Sequence, residues 1–123
     1  MAQHNDLGRW GEDFAVRMLE AKGYRIIERD WKDAHRDIDI IALDNDCLVF
    51  IEVKTRRAGT LLAPELAVDR RKIKNITLAA NRYVKSNRID FPLRFDIFAI
   101  TGSNENSCSF EHIEDAFLPY FFR

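Results

Sequence analysis

The sequence predicts one α/β domain, residues 1–123, in which two helices cover the two faces of a mixed five-stranded sheet. Three observations point to it. Two stretches repeat apolar residues at helical spacing, and short runs rich in Ile, Val and Phe interleave with them in the order helix, three strands, helix, two strands. The second and third strands read as a hairpin, apolar on one whole face and on half of the other, so both faces need cover. At 123 residues and 46% hydrophobic content the chain has material for a single core.

The spacing of Leu7, Phe14, Ala15, Met18 and Leu19 predicts a helix over Asp6 to Lys22, with Asn5 or Asp6 as its N-cap and Gly23 just past its end. Gly8 and Gly11 weaken that helix and let another backbone come close. Glu12 stands at the edge of the apolar stripe, where a carboxylate can reach inward to a site. Tyr24 to Trp31 is a first strand, and Lys32-Asp33-Ala34-His35 turns it into the hairpin.

The hairpin runs from Arg36 to Leu43, turns through Asp44-Asn45-Asp46, and returns from Cys47 to Arg57. With Asp44 opposite Cys47, Leu43 faces Leu48, Ile41 faces Phe50, Asp39 faces Glu52 and Asp37 faces Lys54, all on one side of the sheet. Ile38, Ile40, Ala42, Val49, Ile51 and Val53 form the other, wholly apolar side. Two carboxylates directly opposite, with Cβ atoms roughly 5 Å apart, repel unless a cation or a proton lies between them.

Beyond the hairpin, Gly59 and Pro64 bracket a loop, and a second helix runs from about Asp69 to Asn87 on an apolar stripe of Ile73, Ile76, Ala80, Tyr83 and Val84. Arg70, Arg71, Lys72 and Lys74 crowd its first turns, where cations oppose the helix dipole. An anionic ligand near that end gives them a reason. Phe91-Pro92 resets the chain, Leu93 to Thr101 is a strand, Gly102 to Asn106 a loop, and Cys108 to Ile113 the last strand. The aromatic tail from Ala116 to Arg123 is expected to pack on the domain or on a second subunit.

Net charge is −1, but Lys and Arg dominate between Lys54 and Arg88, which leaves the remainder acidic. The N-terminus lacks a basic segment followed by an apolar run, and no stretch approaches the ~20 apolar residues of a membrane span, so a cytoplasmic location without membrane contact is expected. Cys47 and Cys108 are isolated and read as buried free thiols. His4, His35 and His112 are scattered, and neither a nucleophile elbow nor a phosphate-binding glycine loop is present.

Asp39 and Glu52 suit a hard divalent cation, Mg²⁺ or Mn²⁺, which takes one or two protein carboxylates and leaves positions for water and phosphate; the Val53 carbonyl can add a third oxygen. Lys54 follows Glu52 on the same face and can serve an attacking water or oppose charge on a phosphate. The competing reading of Asp37, Asp39, Glu52 and Lys54 is a cross-strand ion-pair cluster on a solvated face, although Asp39 and Glu52 pair with the wrong sign for it. Arg94 and Asp96, flanking Phe95, read as a structural ion pair.

These residues together resemble the YraN-like family of small bacterial proteins, grouped by fold with the PD-(D/E)xK nucleases and archaeal Holliday-junction resolvases. The likeness is carried by Gly8, Gly11 and Glu12, by Gly23-Tyr24, by Ile38-Asp39-Ile40-Ile41, by Phe50-Ile51-Glu52-Val53-Lys54-Thr55-Arg56, by Ala67-Val68 with Lys72, and by Arg94-Phe95-Asp96. It implies a restriction-endonuclease-like three-layer sandwich, with Asp39, Glu52 and Lys54 as metal and catalytic residues and Glu12 as a helix-borne carboxylate near the metal. Two departures stand out: Arg36-Asp37 where the family writes Gly-Glu, and Leu61-Leu62-Ala63-Pro64 in place of Phe-Gly-x-Pro. The functional expectation is Mg²⁺-dependent hydrolysis of phosphodiester bonds in DNA, branched or damaged, with Arg56, Arg57, Arg70, Arg71 and Lys72 on the backbone. Cutting both strands would take two copies, a homodimer. The alternative is a nucleic-acid-binding or assembly module that keeps the fold without turnover.

Overall fold

The computed structural model describes residues 2–59, 69–102 and 104–117. Helix α1 (Ala2–Ala21) leads into strands β1 (Arg25–Asp33), β2 (Arg36–Asp44) and β3 (Cys47–Arg56). Helix α2 (Arg70–Ser86) follows, and then strands β4 (Leu93–Thr101) and β5 (Ser109–Ile113). The five strands lie side by side in chain order. Every neighbouring pair is antiparallel except β3 and β4, which are parallel because α2 carries the chain back across the sheet. This is the α/β three-layer arrangement expected. The predicted loop residues 60–68, including Pro64 and Ala67-Val68, and the tail residues 118–123 lie outside the described residues.

One apolar cluster lies under α1, where Phe14, Ala15 and Leu19 pack on Ile40, Ala42, Val49, Ile51, Phe98 and Ile100. Another lies under α2, where Ile76, Ala79, Ala80 and Tyr83 pack on Ile38, Ile41, Leu48, Phe50 and Phe95. Helix α1 starts earlier than Asp6 and ends where Gly23 takes φ +95°, which lets the Tyr24 N–H donate to the Leu19 carbonyl at 3.0 Å. Helix α2 is capped by Asp69, whose side chain accepts from the Lys72 N–H at 2.9 Å, and it closes at Asn87.

The hairpin turn has Asn45 at φ +56°, and its register runs as counted from Asp44–Cys47 to Ile40–Ile51. There regular pairing stops. The Val53 N–H donates instead to Asp39 Oδ2 at 2.8 Å, so a carboxylate replaces the ladder bond. In β1, Asp30 takes φ +50° between the Arg29–Ile40 and Trp31–Ile38 pairs, a kink at the same level. Two expectations change as a result. Asp39 and Glu52 are not a ladder pair, and Asp37 pairs with Lys32 rather than Lys54. Ile38 also turns to the α2 side, packing with Ile41 rather than Ile40.

Candidate metal centre

Where β2 leaves β3, three elements bring charge together. Strand β3 supplies Glu52, buried with 5% of its surface exposed, because its face of the sheet lies beneath α2. Strand β2 supplies Asp39, just beyond its last pair with β3, and Asp37 two residues before it. Helix α2 supplies Lys72, whose Nζ lies 3.5 Å from Asp37 Oδ1 and 3.7 Å from Glu52 Oε2. Glu52 Oε1 is buried and has no hydrogen-bond partner. A buried carboxylate oxygen in that condition is costly, so it marks a place where a cation or proton is wanted.

Electrostatics agree with the geometry. Burial, reinforced by Asp39, raises the Glu52 pKa against the pull of Lys72 and Lys54. Burial also raises Asp39, with Asp37 adding to it, while the Val53 N–H, Lys72 and Glu52 oppose the rise. For Lys72, burial disfavours the ammonium, but Glu52, Asp37 and Asp39 more than reverse it, so it is held charged. The pair Asp39 and Glu52 therefore favours one shared proton, or one cation, over two bare charges.

Glu12 joins from α1. It lines a cleft of about 420 Å³ with Gly8, Arg9, Asp30, Asp37, Asp39, Val53 and Thr55. Burial and then Asp39 raise its pKa, and Arg29, whose Nη2 is 3.3 Å from Glu12 Oε1, opposes the rise. Gly11 makes this approach possible: a Cβ there would collide with Thr55 Oγ1 and lie 3.3 Å from Thr55 Cβ. On the other side of β3, Lys54 lines a smaller cleft of about 260 Å³ with Asp69, Arg71, Lys72 and Asn75. The sheet end thus separates an acidic cleft under α1 from a basic one at the start of α2.

Among the described residues no three His, Cys, Asp or Glu side chains converge as a metal cage. An ion at this place would draw on Asp39, Glu52, the Val53 carbonyl and water, a ligand set that fits Mg²⁺ or Mn²⁺ and does not fit a softer metal. Of the basic residues expected on a phosphate backbone, Arg70 and Arg71 are exposed on the first turn of α2 and Arg57 is exposed beyond β3. Arg56 Nε meets Thr101 Oγ1 at 3.4 Å on the neighbouring strand. Lys72 departs from that group by pointing into the carboxylates.

Arg94 and Asp96 form the ion pair expected of them, doubly bonded at 2.9 Å, on β4, where Asp96 pairs with Ile51. Sequence reasoning missed what surrounds it. Asp44 accepts from Arg94 Nη1 at 2.9 Å, the Asp115 N–H donates to Asp96 at 3.0 Å, and His112 Nε2 lies 2.8 Å from Asp96 Oδ2. Burial alone would raise the wholly buried Asp96, but His112, Arg94 and the Asp115 N–H hold it below the usual range. The hub fastens β4 to β5 and to the hairpin turn.

The fold and site define a small α/β sandwich that gathers a buried Glu52, a half-buried Asp39, the helix-borne Glu12 and the lysines Lys54 and Lys72 at one end of its sheet. By sequence, the chain belongs to the uncharacterised protein family UPF0102, the YraN-like family, whose model matches residues 11–100. It is 46% identical over 122 residues to a UPF0102 protein of Bacteroides thetaiotaomicron, covering 99% of this chain and 100% of the relative. A UPF0102 protein of Porphyromonas gingivalis is 47% identical over 118 residues, covering 95% and 87%. One from Flavobacterium psychrophilum is 44% identical over 120 residues, covering 98% and 100%. No helix among the described residues is long and apolar enough to cross a membrane.

Proposed function

We propose that this protein is a Mg²⁺- or Mn²⁺-dependent endonuclease-like hydrolase acting on phosphodiester bonds of DNA, with branched or damaged DNA as the substrate form. The observation that carries the reading is the unpartnered Glu52 Oε1, buried next to Asp39 where β2 leaves β3. Asp39 and Glu52 hold the ion, with the Val53 carbonyl beside them. A divalent ion bound there supplies an acidified water and neutralises charge on the phosphate.

The chain's own groups do the rest. Lys54, whose cleft opens beside Glu52, orients the water and opposes negative charge on the scissile phosphate. Glu12, which lines the acidic cleft with Asp39, would be a further hydrogen-bond acceptor for water there. Arg57, Arg70 and Arg71 hold backbone phosphates and position the strand without reading bases. The PD-(D/E)xK resemblance of the Ile38–Ile41 and Phe50–Arg56 segments supports the same assignment.

One observation favours a second reading, a nucleic-acid-binding module without turnover: the Lys72 ammonium lies 3.5 Å from Asp37 and 3.7 Å from Glu52, close enough to balance their charge by itself. A cleavage assay on duplex, flap and four-way-junction DNA with Mg²⁺ and Mn²⁺ separates the two. Metal-dependent cutting is expected from wild type, with a loss of at least about a hundredfold in Glu52→Ala and Lys54→Ala. Binding without cutting by wild type, under every condition, would leave the module reading.

A further inference from the structure

The position of Lys72 has a consequence beyond phosphate binding. Its ammonium lies between Asp37 and Glu52, at 3.5 and 3.7 Å, on the first turn of a helix where a cation opposes the dipole. Its own N–H is fixed by the Asp69 cap, so the backbone is anchored, while the flexible four-carbon stem allows the ammonium a second position. The same residue borders the basic cleft with Lys54 and Arg71. One side chain therefore has two electrostatically favourable positions, over the carboxylates and toward an anion.

We propose that Lys72 is a resident counter-cation that fills the place of the divalent ion in the metal-free protein and, when the ion enters, is displaced into the Lys54 cleft to take the substrate phosphate. This rests on the metal-centre reading above. It makes metal entry and phosphate capture one coupled step: the ion repels the ammonium, and the released ammonium strengthens the phosphate site. Coupling through a shared side chain is reciprocal, so a phosphate held in the Lys54 cleft also raises metal affinity. Lys72 is a positioning residue here, competing for the carboxylates rather than reacting.

The test uses the full chain with Mg²⁺ alone, in mildly alkaline buffer so that protons compete least. Calorimetry compares wild type with Lys72→Met, which removes the competitor, and with Lys72→Arg, whose fork grips two carboxylates more firmly. The expected result is Mg²⁺ affinity about tenfold tighter in Lys72→Met and weaker than wild type in Lys72→Arg. In parallel, reductive methylation read by mass spectrometry follows Lys72 against the exposed Lys74 as internal reference. Lys72 should react more slowly than Lys74 without metal, and Mg²⁺ or Glu52→Gln should speed it. If Mg²⁺ binds wild type through Glu52 while the Lys72 variants bind equally and Lys72 labelling does not change, the counter-cation is overturned and the metal centre stands. If wild type takes up no Mg²⁺, both fall together.

Discussion

At Glu52, burial and the neighbouring Asp39 carboxylate push in the same direction, and the consequence can be measured without any substrate. A carboxyl whose folded-state pKa is raised stabilises the fold below its unfolded pKa and loses that contribution as pH rises through the folded value. Glu52, Asp39 and Glu12 all shift upward, with burial the first cause in each. The metal-free protein should therefore lose melting temperature from the ordinary carboxylate range into neutral and mildly alkaline pH. Mg²⁺ should reverse the slope, since a bound cation favours the ionised pair. Glu52→Gln should flatten the metal-free profile and abolish the Mg²⁺ response. A wild-type melting temperature in chelator that holds constant over roughly pH 5 to 8 would refute the account. The carboxylates themselves were legible in the sequence because charge in an Ile-, Val- and Phe-rich hairpin breaks the apolar pattern. The inward turn of Lys72 was not, because one of four cations in a basic cluster looks like its neighbours until packing decides which way it points.

At the scale of elements, the hairpin register could be counted because the turn and the two-residue alternation fix it. It failed at Asp39, where a side chain takes over a backbone bond, an exchange that alternation cannot encode. The glycines of α1 were readable only as permission for a close approach; the structure shows that Gly11 meets Thr55, while a Cβ at Gly8 would touch nothing within 4 Å. That difference predicts opposite outcomes. Gly11→Ala forces α1 away from β3, costing about 1 to 3 kcal/mol of overpacking, offset by about 1 kcal/mol of helix propensity, and it withdraws Glu12 from the cleft. Urea denaturation should show a net loss of about 1 kcal/mol, and Mg²⁺ affinity should fall. Gly8→Ala, on an exposed helical position, should gain about half a kcal/mol or more and leave Mg²⁺ binding unchanged. Equal behaviour of the two would mean that the α1 approach does not position Glu12. The hub around Asp96 shows the same limit of sequence: Arg94 and Asp96 share a strand and were visible, but His112 and Asp44 arrive from other strands.

Over the whole molecule, a net charge of −1 conceals a division that the sheet makes spatial. Glu12, Asp30, Asp37 and Asp39 gather in the cleft under α1, while Lys54, Arg71 and Lys72 border the one at the start of α2, with Arg70 exposed next to them. The uneven charge along the chain was legible; its separation was not, because the acidic cleft draws its carboxylates from α1, β1 and β2 while the basic one takes Lys54 from β3 and Arg71 and Lys72 from α2. On the proposed function, the acidic cleft would repel a polyanion and the start of α2 would attract it, so the expected approach is from the α2 side, toward Lys54. Each arginine that pairs with a phosphate releases about one counterion, so the logarithm of affinity falls with the logarithm of salt by about 0.9 per contact on duplex DNA. Replacing Arg70 and Arg71 together by Ala should weaken low-salt duplex binding and reduce the slope by about 2, with the same loss for unrelated sequences because backbone contacts carry no base information. Both side chains are exposed, so the melting temperature should stay within about 2 °C of wild type. Fluorescence anisotropy across a salt series reads the slope directly. A slope identical in wild type and the double variant would move the nucleic acid off the start of α2, and with it the path by which a phosphate reaches Lys54.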